Sequence, residues 1–181
     1  MNLVLMGYRC TGKTSVGRIL ASRLKKPFYD TDELIQASSG KSVREMVEEG
    51  GWPFFRREEK QVIAGLSEKD ESVIALGGGA VLAEENLRHL KGKGFFIWLK
   101  ADAETIVKRM ADDRKSLAQR PPFSGENLKE ETDSSLPSRE SIYQRIADRI
   151  VDTSGRSIER VAEEVGRIIG EMTKETRSWE T

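Results

Sequence analysis

The sequence predicts an α/β fold, a parallel sheet of about five strands wrapped by helices. Short apolar runs alternate along the chain with stretches of helical periodicity. The first run, Asn2 to Met6, has no polar alternation, as in a strand buried on both faces, and it passes through Gly7 directly into a helix carrying Val16, Ile19, Leu20 and Leu24. Phe28-Tyr29 forms a second strand leading into Asp30-Thr31-Asp32, and Ser42-x-x-Glu45 is a capping box opening a helix. Residues 53–66 are helical. A third strand over 73–76 runs into Gly77-Gly78-Gly79, followed by a helix near 83–90, a strand at 95–99 and a helix from Asp102 to about Met110.

From 112 to 135 the apolar period is lost, two prolines and a Ser-Gly pair intervene, and a mobile lid is expected. A helix near 138–148, a strand at Ile150-Val151 and a long amphipathic helix with Ile158, Val161, Val165, Ile168 and Ile169 on one face complete a single domain over 1–173. Residues 174–181 read as a polar, frayed tail.

With 30 Lys+Arg against 30 Asp+Glu, no global field draws in polyanions, so nucleic acid and membrane surfaces are not the expected partners. Any anion site must be local. One cysteine can make neither an internal disulfide nor a multi-thiolate zinc site, and no run approaches the ~20 apolar residues of a membrane span. A cytoplasmic monomer acting on small molecules is expected. His89, the single histidine, reads as a surface residue of its helix.

The strongest chemical signal is Gly7-Tyr8-Arg9-Cys10-Thr11-Gly12-Lys13-Thr14, a complete GxxxxGK[ST] set between a strand and a helix. Its glycines let backbone N–H groups of Cys10 to Ser15 converge on phosphate oxygens, and the helix N-terminus adds a positive dipole end. Lys13 then reaches the β- and γ-phosphates, and the Thr14 hydroxyl ligates Mg²⁺. A GTPase would carry Asn-Lys-x-Asp, yet none of Asn2, Asn86 and Asn127 precedes a lysine. A large mechanical ATPase would need a longer domain and an acidic strand end, where residues 73–76 instead run into three glycines, so what remains is a compact kinase with a lid.

In order along the chain, the phosphate loop, Asp30-x-Asp32, Phe55-Arg56-x-x-Glu59, the triglycine 77–79, and Arg120-Pro121 followed by Arg139 and Tyr143 resemble the shikimate kinases. These are small P-loop kinases of three-layer fold related to nucleoside monophosphate kinases, and the resemblance spans Leu3 to about Ile169. It implies Mg·ATP-dependent phosphorylation of the 3-hydroxyl of shikimate, on the route to chorismate and the aromatic amino acids. It also assigns residues. Arg56 and Arg139 would hold the substrate carboxylate, and Asp32 would orient or deprotonate the attacking hydroxyl, beside Gly77, Gly78 and Gly79. Gly78 would let backbone N–H groups approach the substrate. Asp30 would hold Mg²⁺ through water. Lys13 and the lid's Arg120 would neutralise the transferring phosphoryl group, and Arg109 and Arg156 would lie near the adenine. Glu59 would support an arginine.

The sequence departs from the family pattern at Cys10, where glycine or another small residue is frequent, at Trp52, where an acid is usual, and in a longer segment between Arg109 and Arg120. The residues leave two other readings: a kinase of another small hydroxy acid such as gluconate, and a nucleotide-binding module without turnover. The second has no need of an acceptor site.

Overall fold

Strand β1 (Asn2–Met6) is buried along its whole length, as its unbroken apolar run requires, and takes the centre of the sheet. The computed structural model describes residues 1–113 and 127–177. Among these, β2 (Phe28–Asp30), β3 (Val73–Ala75), β4 (Gly94–Lys100) and β5 (Arg149–Asp152) complete a five-stranded sheet of order β2-β3-β1-β4-β5. Every adjacent pair is parallel. Leu3 faces Val73 on one side and Phe95 on the other.

Alternate β1 side chains feed two cores. Leu3 and Leu5 join Ile97, Leu99 and Val151 against α1 (Lys13–Leu24) and α7 (Ile158–Arg177) through Val16, Leu20, Val161 and Val165. On the opposite face Val4 and Met6 join Ile74, Phe96 and Trp98 against Ile63 of α3 (Val43–Leu66), Leu90 of α4 (Glu84–Leu90) and Tyr143 of α6 (Leu128–Ile146). The result is three layers. At about 1.5–3 kcal/mol per fully buried aliphatic side chain, these two faces dominate the stability of the domain.

Helix α2 (Thr31–Ser39) follows β2 without a loop, capped by the Asp30 side chain, and α5 (Ala103–Asp112) is capped by Asp102. The Ser42/Glu45 capping box is present at the start of α3, and Gly51 (φ 68, ψ 179) kinks that helix where the sequence places the boundary between two helices. Two expectations are corrected. Leu128–Ser135, expected in the lid, are the first turns of α6, which Asn127 caps by accepting from the N–H groups of Lys129 and Glu130. The side chains of Glu131 and Thr132 are buried there, so a polar sequence packs inward without an apolar period to betray it. Likewise α7 continues to Arg177, past the start of the expected tail. The rest of the expected lid, residues 114–126 with Arg120, lies outside the described residues, as do 178–181.

Candidate active site

The carboxyl ends of β1, β2 and β3 converge, and three loops meet there: residues 7–12, the Asp30–Asp32 step, and the triglycine turn. In the first, Gly12 caps α1 in a left-handed conformation (φ 92) that favours glycine, and no side chain occupies the cap. The first-turn N–H groups of α1 thus face the open cleft, the arrangement anion binding needs. Cys10 also takes a left-handed φ of 60, and its carbonyl accepts from Arg109 Nη1 at 3.3 Å. Lys13, buried, donates to the carbonyls of Gly7 (2.9 Å) and Tyr8 (2.6 Å), so its ammonium is held inside the loop it would share with a phosphate. Thr11 Oγ1 donates to the Tyr8 carbonyl at 2.8 Å.

Two clefts open from this point. The larger is lined by Cys10 to Ser15, Asp30, Arg109, Thr153, Arg156 and Ile158 among others. In it Arg109 is fixed by Thr153, donating to its hydroxyl at 3.0 Å and its carbonyl at 2.6 Å. Arg156 donates to the Asp152 carbonyl at 2.9 Å and pairs with Glu164 at 2.5 Å. The sequence-derived nucleotide residues are therefore gathered on one cleft, Arg120 apart, which is not among the described residues.

The smaller cleft brings together Arg9, Asp32, Arg56, Glu59, Gly77, Gly78, Gly79 and Arg139 with Val43, Trp52 and Phe55. Arg56 Nη1 donates to both carboxylate oxygens of fully buried Glu59 (2.8 and 2.7 Å), and its guanidinium lies 5.7 Å from the Trp52 ring and 5.4 Å from the Phe55 ring. Trp52 and Phe55 meet edge to face, so the departure at Trp52 builds a wall of the cleft. Arg139, buried, lies 4.9 Å over the ring of Tyr8. Three guanidinium groups, two carboxylates and apolar walls can grip a ring that carries a carboxylate and hydroxyls.

Each glycine of the turn leaves room for a named neighbour. A Cβ on Gly77 would stand 2.8 Å from Asp32 Oδ1, one on Gly78 3.2 Å from the backbone nitrogen of Arg9, and one on Gly79 would overlap the Arg56 guanidinium. The triglycine turn thus lies against the backbone of the phosphate loop. Tyr143 donates to the Gly78 carbonyl at 2.5 Å, and burial drives its phenol well above the usual range, which keeps it a donor. Arg9 and Tyr8 were not singled out from the sequence. Arg9 lines both clefts, a position only Asp32 shares among the described lining residues.

Asp30 does two jobs. Its Oδ1 accepts from the N–H groups of Asp32 (2.9 Å) and Glu33 (3.3 Å), and its Oδ2 accepts from Thr14 Oγ1 at 2.6 Å. Burial first, then the Asp32 charge, pushes its carboxyl above the usual carboxylate range. A hydroxyl beside a desolvated carboxylate at a phosphate loop fits a hard divalent cation. Among the described residues no cluster of three or more His, Cys, Asp or Glu could hold a metal alone, so phosphate oxygens and water must complete the shell.

A pKa raised in the folded state means that ionised Asp30 costs stability at neutral pH, a cost that disappears as pH falls below the unfolded value of about 3.9. Asp30→Asn keeps a cap oxygen and can donate to Thr14. Without nucleotide or divalent cation it is expected to raise the Tm at pH 7 by at most a few degrees, at about 2–4 °C per kcal/mol for a chain of this size. A lower Tm by differential scanning calorimetry contradicts the electrostatic account.

The family model and the curated relatives name one family. The family model described as shikimate kinase matches residues 9–169. A shikimate kinase of Syntrophus aciditrophicus is 45% identical over 174 residues, covering 92% of this chain and 89% of that protein. One from Symbiobacterium thermophilum is 40% identical over 165 residues, 91% of this chain and 94% of that protein. Among solved structures, the shikimate kinase from Acinetobacter baumannii in complex with shikimate superposes with a TM-score of 0.87 at 29% identity, covering 94% of this chain and 93% of that one.

Proposed function

The chain belongs to the shikimate kinase family, and on that premise we propose that it transfers the γ-phosphoryl group of ATP to the 3-hydroxyl of shikimate, giving shikimate 3-phosphate and ADP on the route to chorismate. The observation that carries the proposal is the meeting of the two clefts at Asp32. One side offers a phosphate loop, the other the guanidinium groups of Arg56 and Arg139, and an acceptor hydroxyl placed at their junction would face both.

In this scheme Arg56 and Arg139 hold the acceptor carboxylate, and Asp32 orients the hydroxyl and takes its proton. Lys13 leaves the loop carbonyls for the β- and γ-phosphates, while the α1 N–H groups cradle them. Thr14 and Asp30 would hold Mg²⁺, Asp30 through water, and the ion supplies positive charge to the phosphate oxygens. Arg109 and Arg156 flank the adenosine end. Arg120 is assigned the transferring phosphoryl group on the family resemblance. Transfer is direct and in line, because two bound and aligned substrates need no phosphoenzyme. The working unit is one cytoplasmic chain, with residues 1–173 as its kinase domain; among the described residues no helix is long and apolar enough to cross a membrane.

A coupled ADP-release assay tests this directly. Release should depend on shikimate and be far slower with gluconate; equal rates with and without shikimate, or a preference for gluconate, overturn the proposal. Arg56→Lys keeps the charge and loses the fork, so shikimate affinity should fall about tenfold or more while ATP affinity stays within a factor of two. Calorimetric titration of each ligand separates the two, and a fall confined to ATP contradicts the placement of Arg56.

A further inference from the structure

Helix α6 carries Glu131, Ser135, Arg139 and Tyr143 at intervals of four residues. Four residues turn an α-helix by about 400°, so these side chains form a stripe that drifts about 40° per step around the helix. Its start and end therefore meet different loops. Glu131 pairs with Arg9 in a buried ion pair, the side chains 2% and 8% exposed. Ser135 Oγ lies 2.7 Å from Tyr8 Oη. Arg139 covers the Tyr8 ring, and Tyr143 holds the Gly78 carbonyl. The helix that brings Arg139 to the acceptor cleft is thus tied twice to the phosphate loop.

We propose that Glu131 and Ser135, through Arg9 and Tyr8, are positioning residues that set Arg139 from the phosphate loop, so that acceptor affinity depends on the state of the loop that binds nucleotide. The inference rests on assigning the two clefts to ATP and shikimate. Neither Glu131 nor Ser135 lines the acceptor cleft, so any effect they exert on the acceptor must pass through Tyr8, Arg9 or the helix itself. A two-residue link between hydroxyls is also separable from the fold, because Tyr8→Phe keeps the ring under Arg139 and removes one oxygen.

The test compares the wild type, Tyr8→Phe, Ser135→Ala, the double variant and Glu131→Gln, each assayed for kcat and both KM values and titrated with shikimate with and without a non-hydrolysable ATP analogue. Each hydroxyl deletion should raise the KM for shikimate about threefold to tenfold, with the KM for ATP within twofold. The double variant should be no worse than Ser135→Ala, which already removes the Tyr8 contact together with the bond from Ser135 to the Glu131 carbonyl. Glu131→Gln should have the larger effect, concentrated in the titration with the analogue present. Proportional losses for both substrates, fully additive single effects, or no change in the two hydroxyl variants each overturn the proposal, and those variants decide it even if Glu131→Gln does not fold. A wild type that fails to phosphorylate shikimate strikes instead at the assigned function, which keeps the two failures distinct.

Discussion

Lys13→Ala is expected to lower shikimate-dependent turnover by at least about 10²-fold, the loss typical of removing one preorganised charge partner of a transition state. The side chain is buried, yet its bonds go to the carbonyls of Gly7 and Tyr8 and not into either apolar core. The Tyr8 carbonyl keeps the Thr11 hydroxyl when the ammonium is removed. Thermal unfolding should therefore stay close to that of the wild type while phosphoryl transfer is lost, because the developing charge on the γ-phosphoryl oxygens no longer meets the ammonium. Single-turnover measurement at saturating ATP isolates that step. Retention of more than about a tenth of wild-type turnover contradicts the assigned role.

Gly79→Ala should act on the other substrate, and without removing a polar group. Its methyl would overlap the Arg56 guanidinium, the mobile end of a long side chain, so the arginine yields and the backbone does not. Once displaced, Arg56 loses its alignment with Glu59 and its place against the Trp52 and Phe55 rings. A charge-assisted contact worth about 1.5–3 kcal/mol corresponds to a rise of roughly 10–150-fold in the shikimate dissociation constant. ATP affinity should hardly move, whereas the Tm should fall, because fully buried Glu59 loses its alignment with the guanidinium. Unchanged shikimate binding would show that Arg56 reaches the acceptor from elsewhere.

The phosphate loop was legible because its requirements are local: an apolar strand, glycines at fixed offsets and a helix start, all within residues 2–24. The acceptor residues Asp32, Arg56 and Arg139 lie on three separate elements, and their common cleft followed only from the order of landmarks along a family resemblance. Physical reading of spacing alone leaves Arg56 on a charged helix face. The first turns of α6 were missed because their buried side chains, Glu131 and Thr132, are polar: Glu131 meets Arg9, distant in sequence, and Thr132 donates back to the Leu128 carbonyl of its own helix, so no apolar period marks the burial. Asn127 with Glu130 was the available signal, an N-cap ahead of acidic first-turn residues. The neighbours of Gly77, Gly78 and Gly79 were equally hidden, since three glycines announce close approach without saying to what.

Because β1 precedes every other element yet sits at the middle of the sheet, its two partners are β3 and β4, with β4 beginning only at Gly94. A ribosome adding about 5–20 residues per second leaves this mostly apolar strand with both edges open for several seconds. No hairpin partner can cover it sooner, and closing such distant parallel pairs delays the entropic return that local contacts bring early. The strand that supports the phosphate loop is thus also the segment most exposed to mispairing with other chains during synthesis. Its protection comes from the arrival of β4 and the helices that follow.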